Sequence, residues 1–336
     1  MPDRAISFIR EQTGHNGCTI RINTASRTLH VTEPGPEHRR AWVDLRLLNS
    51  HRDLNAYLRD LHHQQSGKAV IIGCAETITE RKVRFRQSHS RLLFPLAWLV
   101  DFLLHRVIAK MGLTRNLYSL FTQGKYQVIS KAEVLGRLTY SGFEIIKQET
   151  IANRLYYAVR KNGEPQSGEN PSFGILFKMK RIGLEGRIIG VYKVRTMHPY
   201  SEYIQHYVVQ QNGYNKTGKP EHDFRLTSWG KILRKLHLDE APQLLNVVRG
   251  ELNLVGVRPL SEFGFNALPA DLQKARIKYK PGCIPPNVAL GVTGFDGVIR
   301  AERIYLRALA KNKMLTNSKY FFMALYHLLT HKSRSA

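Results

Sequence analysis

The sequence is poor in several things, and each shortage excludes a class. Its three cysteines, Cys18, Cys74 and Cys283, lie far apart with no CxxC pair. A disulfide frame or a zinc site is therefore not expected, and reduced thiols in a cytoplasmic protein are. No apolar run reaches the roughly 20 residues of a membrane-spanning helix. The opening residues MPDRAISFIREQ have no apolar core, so no secretory signal is expected. Negative charge is scarce: 26 Asp and Glu face 51 Lys and Arg, a formal net charge of +25 over 336 residues. So basic a surface must meet anions, whether nucleic acid, anionic lipid or a phosphorylated substrate. A basic nucleic-acid-binding protein is one reading of the charge, but no RNP, helix-turn-helix or zinc signature accompanies it, and no nucleic-acid partner is expected.

What is present is enough for a core, with 43% apolar residues, and the length leaves room for two domains. Thr19 to Ile22 alternate like an edge strand, and Glu33-Pro34-Gly35-Pro36 reads as a turn. Leu45, Leu47, Leu48, Leu54, Leu58 and Leu61 fall at mostly helical spacing, a helix broken at Gly67. Ala69 to Ile72 predicts a buried strand ending at Gly73. Ser130 and Glu133 form a capping-box pattern that opens a helix to Gly142, and strands are expected at Phe143–Ile146 and Tyr156–Val159. This grammar bears a distant similarity to the second half of a class I methyltransferase domain. The glycine-rich loop that holds S-adenosylmethionine is missing, so the expectation is a truncated α/β module over residues 1–161 that does not bind this cofactor.

Within that module lies RLLFPLAWLVDFLLHRVIAKMG, residues 91–112, where Pro95 predicts a kink. Asp101, His105, Arg106 and Lys110 mark a polar stripe. One reading is an amphipathic helix packed on the module; the other is a helix lying in a membrane interface with Trp98 and the basic residues as anchors. NGEPQSGENPS, residues 162–172, reads as a linker, which leaves 173–336 as a second domain.

The second domain is organised around LHLDEAPQLLNVVRGELNLVGVRP, residues 236–259. Asp239 and Glu240 open an apolar helical pattern whose buried face is expected to be Leu244, Leu245, Val247 and Val248, with Pro242 in the first turn and a stop near Gly250. Leu252 to Val257 then predict a short buried strand, followed by Arg258-Pro259. An Asp before an apolar run is commonly an N-cap and a Glu in the first turn answers the helix dipole. The same residues also suit phosphoryl chemistry, with the helix end and the arginine holding phosphate oxygens and a carboxylate attacking phosphorus. Upstream, Lys193 and Arg195 alternate on a predicted strand after a hairpin turn at Gly186, and two cations on one face ask for an anion. The tyrosines between 198 and 222 are expected to pack.

LDEAPQLLNVVRGELNLVGVRP resembles the signature of bacterial sugar transferases, the polyprenol-phosphate phosphoglycosyl transferases. FKMKRIGLEGRIIGVYKVRTM (177–197) and DFRLTSWGKILRK (223–235) resemble two further blocks of that family, in the same order. Lys280-Pro281-Gly282-Cys283 matches a PG turn of the family. Ile284-Pro285-Pro286-Asn287 departs from its usual T-G-L-W-Q, and Thr316-Asn317-Ser318 has no following Asp. The fold class this implies is α/β, with the N-terminal module joined to an α+β domain like that of monotopic phosphoglycosyl transferases. The implied activity is transfer of a sugar-1-phosphate from a UDP-sugar to polyprenol phosphate, with UMP released, in exopolysaccharide or glycoconjugate assembly. Asp239 is implied as the nucleophile that forms a phosphosugar–aspartyl intermediate, and Glu240 as the partner that positions Mg²⁺ or handles protons. Arg258, Lys193, Arg195 and Arg181 are implied to bind the substrate phosphates. The charge of +25 and the two short apolar–basic segments lead us to expect a peripheral or monotopic place on the cytoplasmic face of the inner membrane, against an anionic surface. The aromatic segment Tyr320 to Leu329, with the basic run to Arg334, fits either an interfacial anchor or a docked helix. A non-catalytic scaffold of polysaccharide assembly is the alternative.

Overall fold

In the computed structural model, residues 1–13, 19–23, 28–32, 41–65, 69–110, 114–166, 174–213 and 220–330 are described. The expected turn at 33–36, the break at Gly67, the linker from 167 onward and the basic tail at 331–334 lie outside the described residues. The chain forms two compact units: Met1–Phe173 with His198–Tyr214 and Pro220–Arg225, and Gly174–Met197 with Asn215–Lys219 and Leu226–Ala336. The first break coincides with the linker. The segments 198–214 and 220–225, placed by the sequence in the second domain, belong to the first unit instead. The reason is aromatic packing, since Tyr200 and Tyr203 both set their rings edge-on against Tyr140.

The fold is α/β. The first unit is built on a sheet of strands β1 (Thr19–Asn23), β2 (Thr28–Thr32), β3 (Ala41–Leu47), β4 (Val70–Ala75), β5 (Phe143–Ile151) and β6 (Arg154–Lys161), in the order β1-β2-β3-β4-β6-β5. Only β3 and β4 run parallel, joined through the helix Leu54–Gln64; the other pairings are antiparallel. Ile71 and Ile72 point to opposite faces of β4, as alternation requires, and join two separate cores. Leu45 and Leu47 are strand residues, not the start of a helix. The helix begins only at Leu54, where Asp53 accepts hydrogen bonds from the N–H groups of Asn55 and Ala56. Gly73 sits inside β4, not at its end, because the Tyr157 ring crosses it; a Cβ there would lie 2.4 Å from the Tyr157 hydroxyl oxygen.

The helix Phe94–Phe102 carries Pro95 in its first turn, where no kink arises, and runs on into the π-helical turn Leu103–Ile108. Its polarity is inverted. Asp101 is buried against Arg81, with Nη2 to Oδ1 at 2.6 Å, while Leu92, Leu93, Leu96, Leu99, Val100, Leu103 and Leu104 are exposed, Leu92 to 91%.

The second unit contains the antiparallel hairpin β7 (Leu176–Ile182) and β8 (Ile188–Val194), and the parallel pair β9 (Asn253–Val255) and β10 (Gly282–Ile284). Its core joins Val255, Val257 and Leu272 to Tyr305, Tyr320 and Ala324 from the helices Phe295–Lys311 and Lys313–Leu329. The last helix buries Tyr320 and Ala324 and exposes Phe322, Leu325 and Tyr326, so it is docked on one side and bare on the other. Gly282 is a packing requirement, since a Cβ on it would come within 2.2 Å of the Gly256 nitrogen. Asn317 accepts a hydrogen bond from the core Tyr305 hydroxyl at 2.8 Å, which gives it a structural part.

Candidate active site

The acidic pair does not open an α-helix. The helix Ser228–Lys235 ends, His237 takes a left-handed φ of 56°, and Leu238–Glu240 form a single 3-10 turn. Pro242 follows, and the helix Gln243–Val248 starts only after it. Pro242 carries no N–H, so it cannot continue the hydrogen-bond ladder from the turn into the helix. Asp239 therefore caps nothing, and the expectation of an N-cap, or of a helix end cradling phosphate beside it, is overturned. Its side chain is 5% exposed and its Oδ2 lies 3.1 Å from Lys193 Nζ.

The helix also turns the opposite way to its apolar pattern. Leu244, Leu245 and Val248 are exposed, Val248 to 87%, and the buried side chains are Gln243 and Asn246. Asn246 explains this. Its Oδ1 accepts from Tyr192 N at 3.0 Å, and its Nδ2 donates to Gly190 O at 2.9 Å and to Glu251 Oε2 at 2.5 Å. One amide side chain thus acts as a further rung on the edge of β8 and fixes the strand's register against the acidic turn. Sequence reasoning passed over Asn246. The signal for it was a polar residue in the middle of an apolar run, next to a strand edge that must be satisfied.

That register delivers Lys193. Its Nζ reaches Glu240 Oε1 at 2.9 Å as well as Asp239, so one ammonium bridges both carboxylates. Arg258, on the loop after β9, approaches Glu240 Oε1 at 3.4 Å. Buried Arg276 pairs with Glu302 and donates to the Arg258 carbonyl, which pins the loop. Burial by itself raises the Glu240 carboxyl, but Lys193, through charge and hydrogen bond, together with Arg258 and His237, holds it below its ordinary value.

The other two predicted cations have different neighbours. Arg195 lies past the end of β8, donates from Nε to Gly174 O at 3.0 Å and sits over the Phe177 ring at 5.0 Å. Arg181 donates to Lys180 O at 2.9 Å. Its guanidinium pKa is lowered by burial and by the charge of Arg258. The structure thus brings together Asp239, Glu240, Lys193 and Arg258. Among the described residues, no three of His, Cys, Asp and Glu gather as a metal-ligand set. Two adjacent carboxylates fit Mg²⁺ in the form it commonly takes, shared with substrate phosphate oxygens.

A carboxylate pair, Asp239 buried and Glu240 half-buried, bridged by lysine and rimmed by arginine, is equipped to bind phosphate oxygens and to offer a carboxylate nucleophile to phosphorus. The residues that build it fall inside the part of the chain matched by the family model for bacterial sugar transferase, residues 168–321. The C-terminal part of the chain matches the bacterial sugar transferase family. Relatives agree. The chain is 33% identical over 162 residues to a galactosyl transferase, CpsE, of Streptococcus agalactiae, covering 46% of this chain and 33% of that protein. It is 40% identical over 130 residues to the UDP-glucose:undecaprenyl-phosphate glucose-1-phosphate transferase of Caulobacter vibrioides, 38% of this chain and 45% of the relative. It is 39% identical over 93 residues to the exopolysaccharide production protein ExoY of Sinorhizobium fredii, 26% of this chain and 41% of the relative. The chain thus spans from a third to just under half of the length of these relatives. The methyltransferase likeness of the N-terminal module is not borne out by these matches.

Proposed function

We propose that the protein transfers a sugar-1-phosphate from a UDP-sugar to polyprenol phosphate, giving a polyprenyl-diphosphate sugar and UMP, in exopolysaccharide or glycoconjugate assembly. The observation that carries this reading is the single ammonium of Lys193 bridging Asp239 and Glu240 within a sugar-transferase region. Asp239 Oδ2 attacks the β-phosphorus of the donor. A carboxylate–phosphorus bond forms as the bond to the bridging oxygen breaks, and UMP leaves with that electron pair. An oxygen of polyprenol phosphate then attacks the same phosphorus and returns the carboxylate. Lys193 and Arg258 neutralise the phosphate oxygens, with Arg181 and Arg195 as outlying anion contacts. Glu240 would hold Mg²⁺, and the ion would supply positive charge to offset that of the substrate phosphates.

The same reading places the protein at the cytoplasmic face of the inner membrane, peripheral or monotopic. Among the described residues no helix is long and apolar enough to cross a membrane. Each unit nonetheless shows apolar side chains outward: Leu92 to Leu104 in the first, and Trp229, Ile232, Leu236, Leu244 and Val248 in the second. Bare apolar faces on a chain of net charge +25 suit an anionic lipid surface. The test is magnesium-dependent UMP release from a panel of UDP-sugars, with polyprenol phosphate carried in anionic vesicles. Turnover is expected on one or a few sugars and is expected to fall as salt detaches the protein. No UMP from any donor, or turnover indifferent to both vesicles and salt, would count against the reading.

Lys193→Met gives a pH signature. Removing the ammonium leaves burial as the largest influence on Glu240, so its pKa rises. In the wild type the carboxylate stays ionised to below the ordinary range, and its contribution is lost only as pH falls through that depressed value. In the variant protonation comes earlier on the way down. The acid limb of the pH–rate profile is expected to move upward, with kcat lower by roughly 10²–10³. An acid limb at the wild-type position would show that Lys193 does not tune Glu240.

A further inference from the structure

The helix Phe295–Lys311 grips the segment that carries Arg258. Glu302 and Tyr305 lie three residues apart on it, hence on one face, and both are 1% exposed. The Tyr305 hydroxyl donates to Asn317 Oδ1 of the last helix at 2.8 Å and lies 3.3 Å from Val255 O, at the end of β9. Glu302 pairs with Arg276 Nη1, from the helix Ala270–Arg276, and Arg276 Nη2 donates to Arg258 O at 2.5 Å. Burial raises the Glu302 carboxyl above its ordinary value, against the opposing effects of Arg276 and of a hydrogen bond from the Arg258 backbone.

The flanks of this segment are anchored by backbone hydrogen bonds. Val257 O accepts from Gly282 N at 2.9 Å, and Leu260 O accepts from Ile182 N at 2.9 Å. Between these anchors stand Arg258 and Pro259, and the proline has no N–H to offer. The Arg258 side chain is 57% exposed and meets Glu240 at 3.4 Å. A long side chain so open to water keeps much of its rotamer freedom. Where its guanidinium sits then follows from where its Cα is held.

The chemistry of the grip explains why it is charged. A buried ion pair is a poor stabiliser, and apolar residues of similar volume often serve a fold as well. Apolar residues cannot donate to a carbonyl. The planar fork of Arg276 can, with one nitrogen on Glu302 and the other on Arg258 O. Glu302 fixes the fork in place, and Arg276 relays that hold to the main chain of Arg258.

We propose that Glu302, acting through Arg276, is a positioning residue for the transfer reaction, one that sets the Arg258 guanidinium beside Glu240. This rests on the phosphate-neutralising role given to Arg258 above. Arg258 acts on charge that develops as the phosphorus is attacked, so its misplacement lowers kcat more than it raises KM. A shift of about 1 Å in such a group costs up to roughly 10²-fold in rate.

Two variants test it, each also made on top of Arg258→Ala. Glu302→Leu/Arg276→Met replaces the pair by apolar groups and is expected to melt close to wild type. Arg276→Lys keeps a charge against Glu302 but has no fork to hold Arg258 O as well; if one variant fails to fold, the other decides. UMP release is measured with polyprenol phosphate in anionic vesicles and the UDP-sugar that turns over fastest. In both variants kcat is expected to fall at least about tenfold, with a smaller change in KM. On top of Arg258→Ala the same changes are expected to lower kcat by less than about twofold, because the group they position is gone. Amide exchange over residues 256–260 is expected to quicken by about tenfold or more in both variants, while the hairpin β7–β8 keeps its protection. With an active wild type, kcat unchanged in the variants, kcat lowered by the same factor with and without Arg258, or unchanged exchange over 256–260 would each overturn this proposal and leave the transfer reading standing. A wild type that releases no UMP from any donor would overturn that reading and this proposal with it.

Discussion

Asp239→Asn is expected to fold like the wild type and to release no UMP. The amide has nearly the shape of the carboxylate, and the site it fills is 5% exposed. Lys193 keeps Glu240 at 2.9 Å, so no buried cation is left without an acid. What is lost is the anion that can attack phosphorus. The rate of UMP release should fall by at least about 10³, the scale on which removal of a nucleophile is felt. The decisive measurement uses UDP-sugar without lipid acceptor. Wild-type protein should give a burst near one equivalent of UMP per enzyme, and the Asn variant none. The structure sharpens this comparison, because Asp239 caps no helix. Asp239→Ala therefore does not carry the loss of about 1 kcal/mol that an N-cap would. Full activity in Asp239→Asn would leave the residue as a structural partner of Lys193 and remove the covalent route.

The paired strands and the acidic motif were readable in the sequence because their signals are local. The hairpin β7–β8 follows from a glycine turn between alternating residues, and its cations were visible as such. What resisted was direction. Periodicity shows that a helix has two faces but not which one meets the protein. In Phe94–Phe102 the polar stripe turned inward, because Asp101 meets Arg81 from a neighbouring helix. In Gln243–Val248 the apolar side is outward, because Asn246 is held by the edge of β8. Such partners lie far along the chain and leave no periodic trace. The 3-10 turn at Asp239 was hidden for another reason: the apolar pattern runs on across Pro242, whose missing N–H interrupts the hydrogen-bond ladder. Glu133 was legible as a capping residue, and its backbone does sit in that cap, but its carboxylate answers cations 23 to 27 residues away.

That carboxylate carries the other large expected effect. Glu133→Gln keeps the shape of the side chain and the cap at Ser130, and leaves Arg106, Lys110 and Arg137 buried around a neutral amide. Breaking a buried ion pair from one side costs about 3–5 kcal/mol, because the remaining charges stay desolvated. For a unit of this size that corresponds to a fall in melting temperature of roughly 10 °C. The pH dependence is a second signature. In the wild type burial raises the Glu133 carboxyl, but the three cations outweigh it and hold the group well below its ordinary value. Its stabilisation is present above the unfolded value and disappears only as pH falls through the depressed folded one. The variant lacks that acid dependence, and its least tolerable charge is Lys110, already depressed by burial and by Arg106. A lysine whose folded pKa lies below its unfolded one binds more protons when unfolded, so stability rises with pH between the two values. The deficit of Glu133→Gln should therefore shrink as pH is raised. Melting curves for wild type and variant across a pH series test this. A variant melting within a degree or two of wild type at every pH would show that the three cations do not depend on Glu133 for their place in the fold.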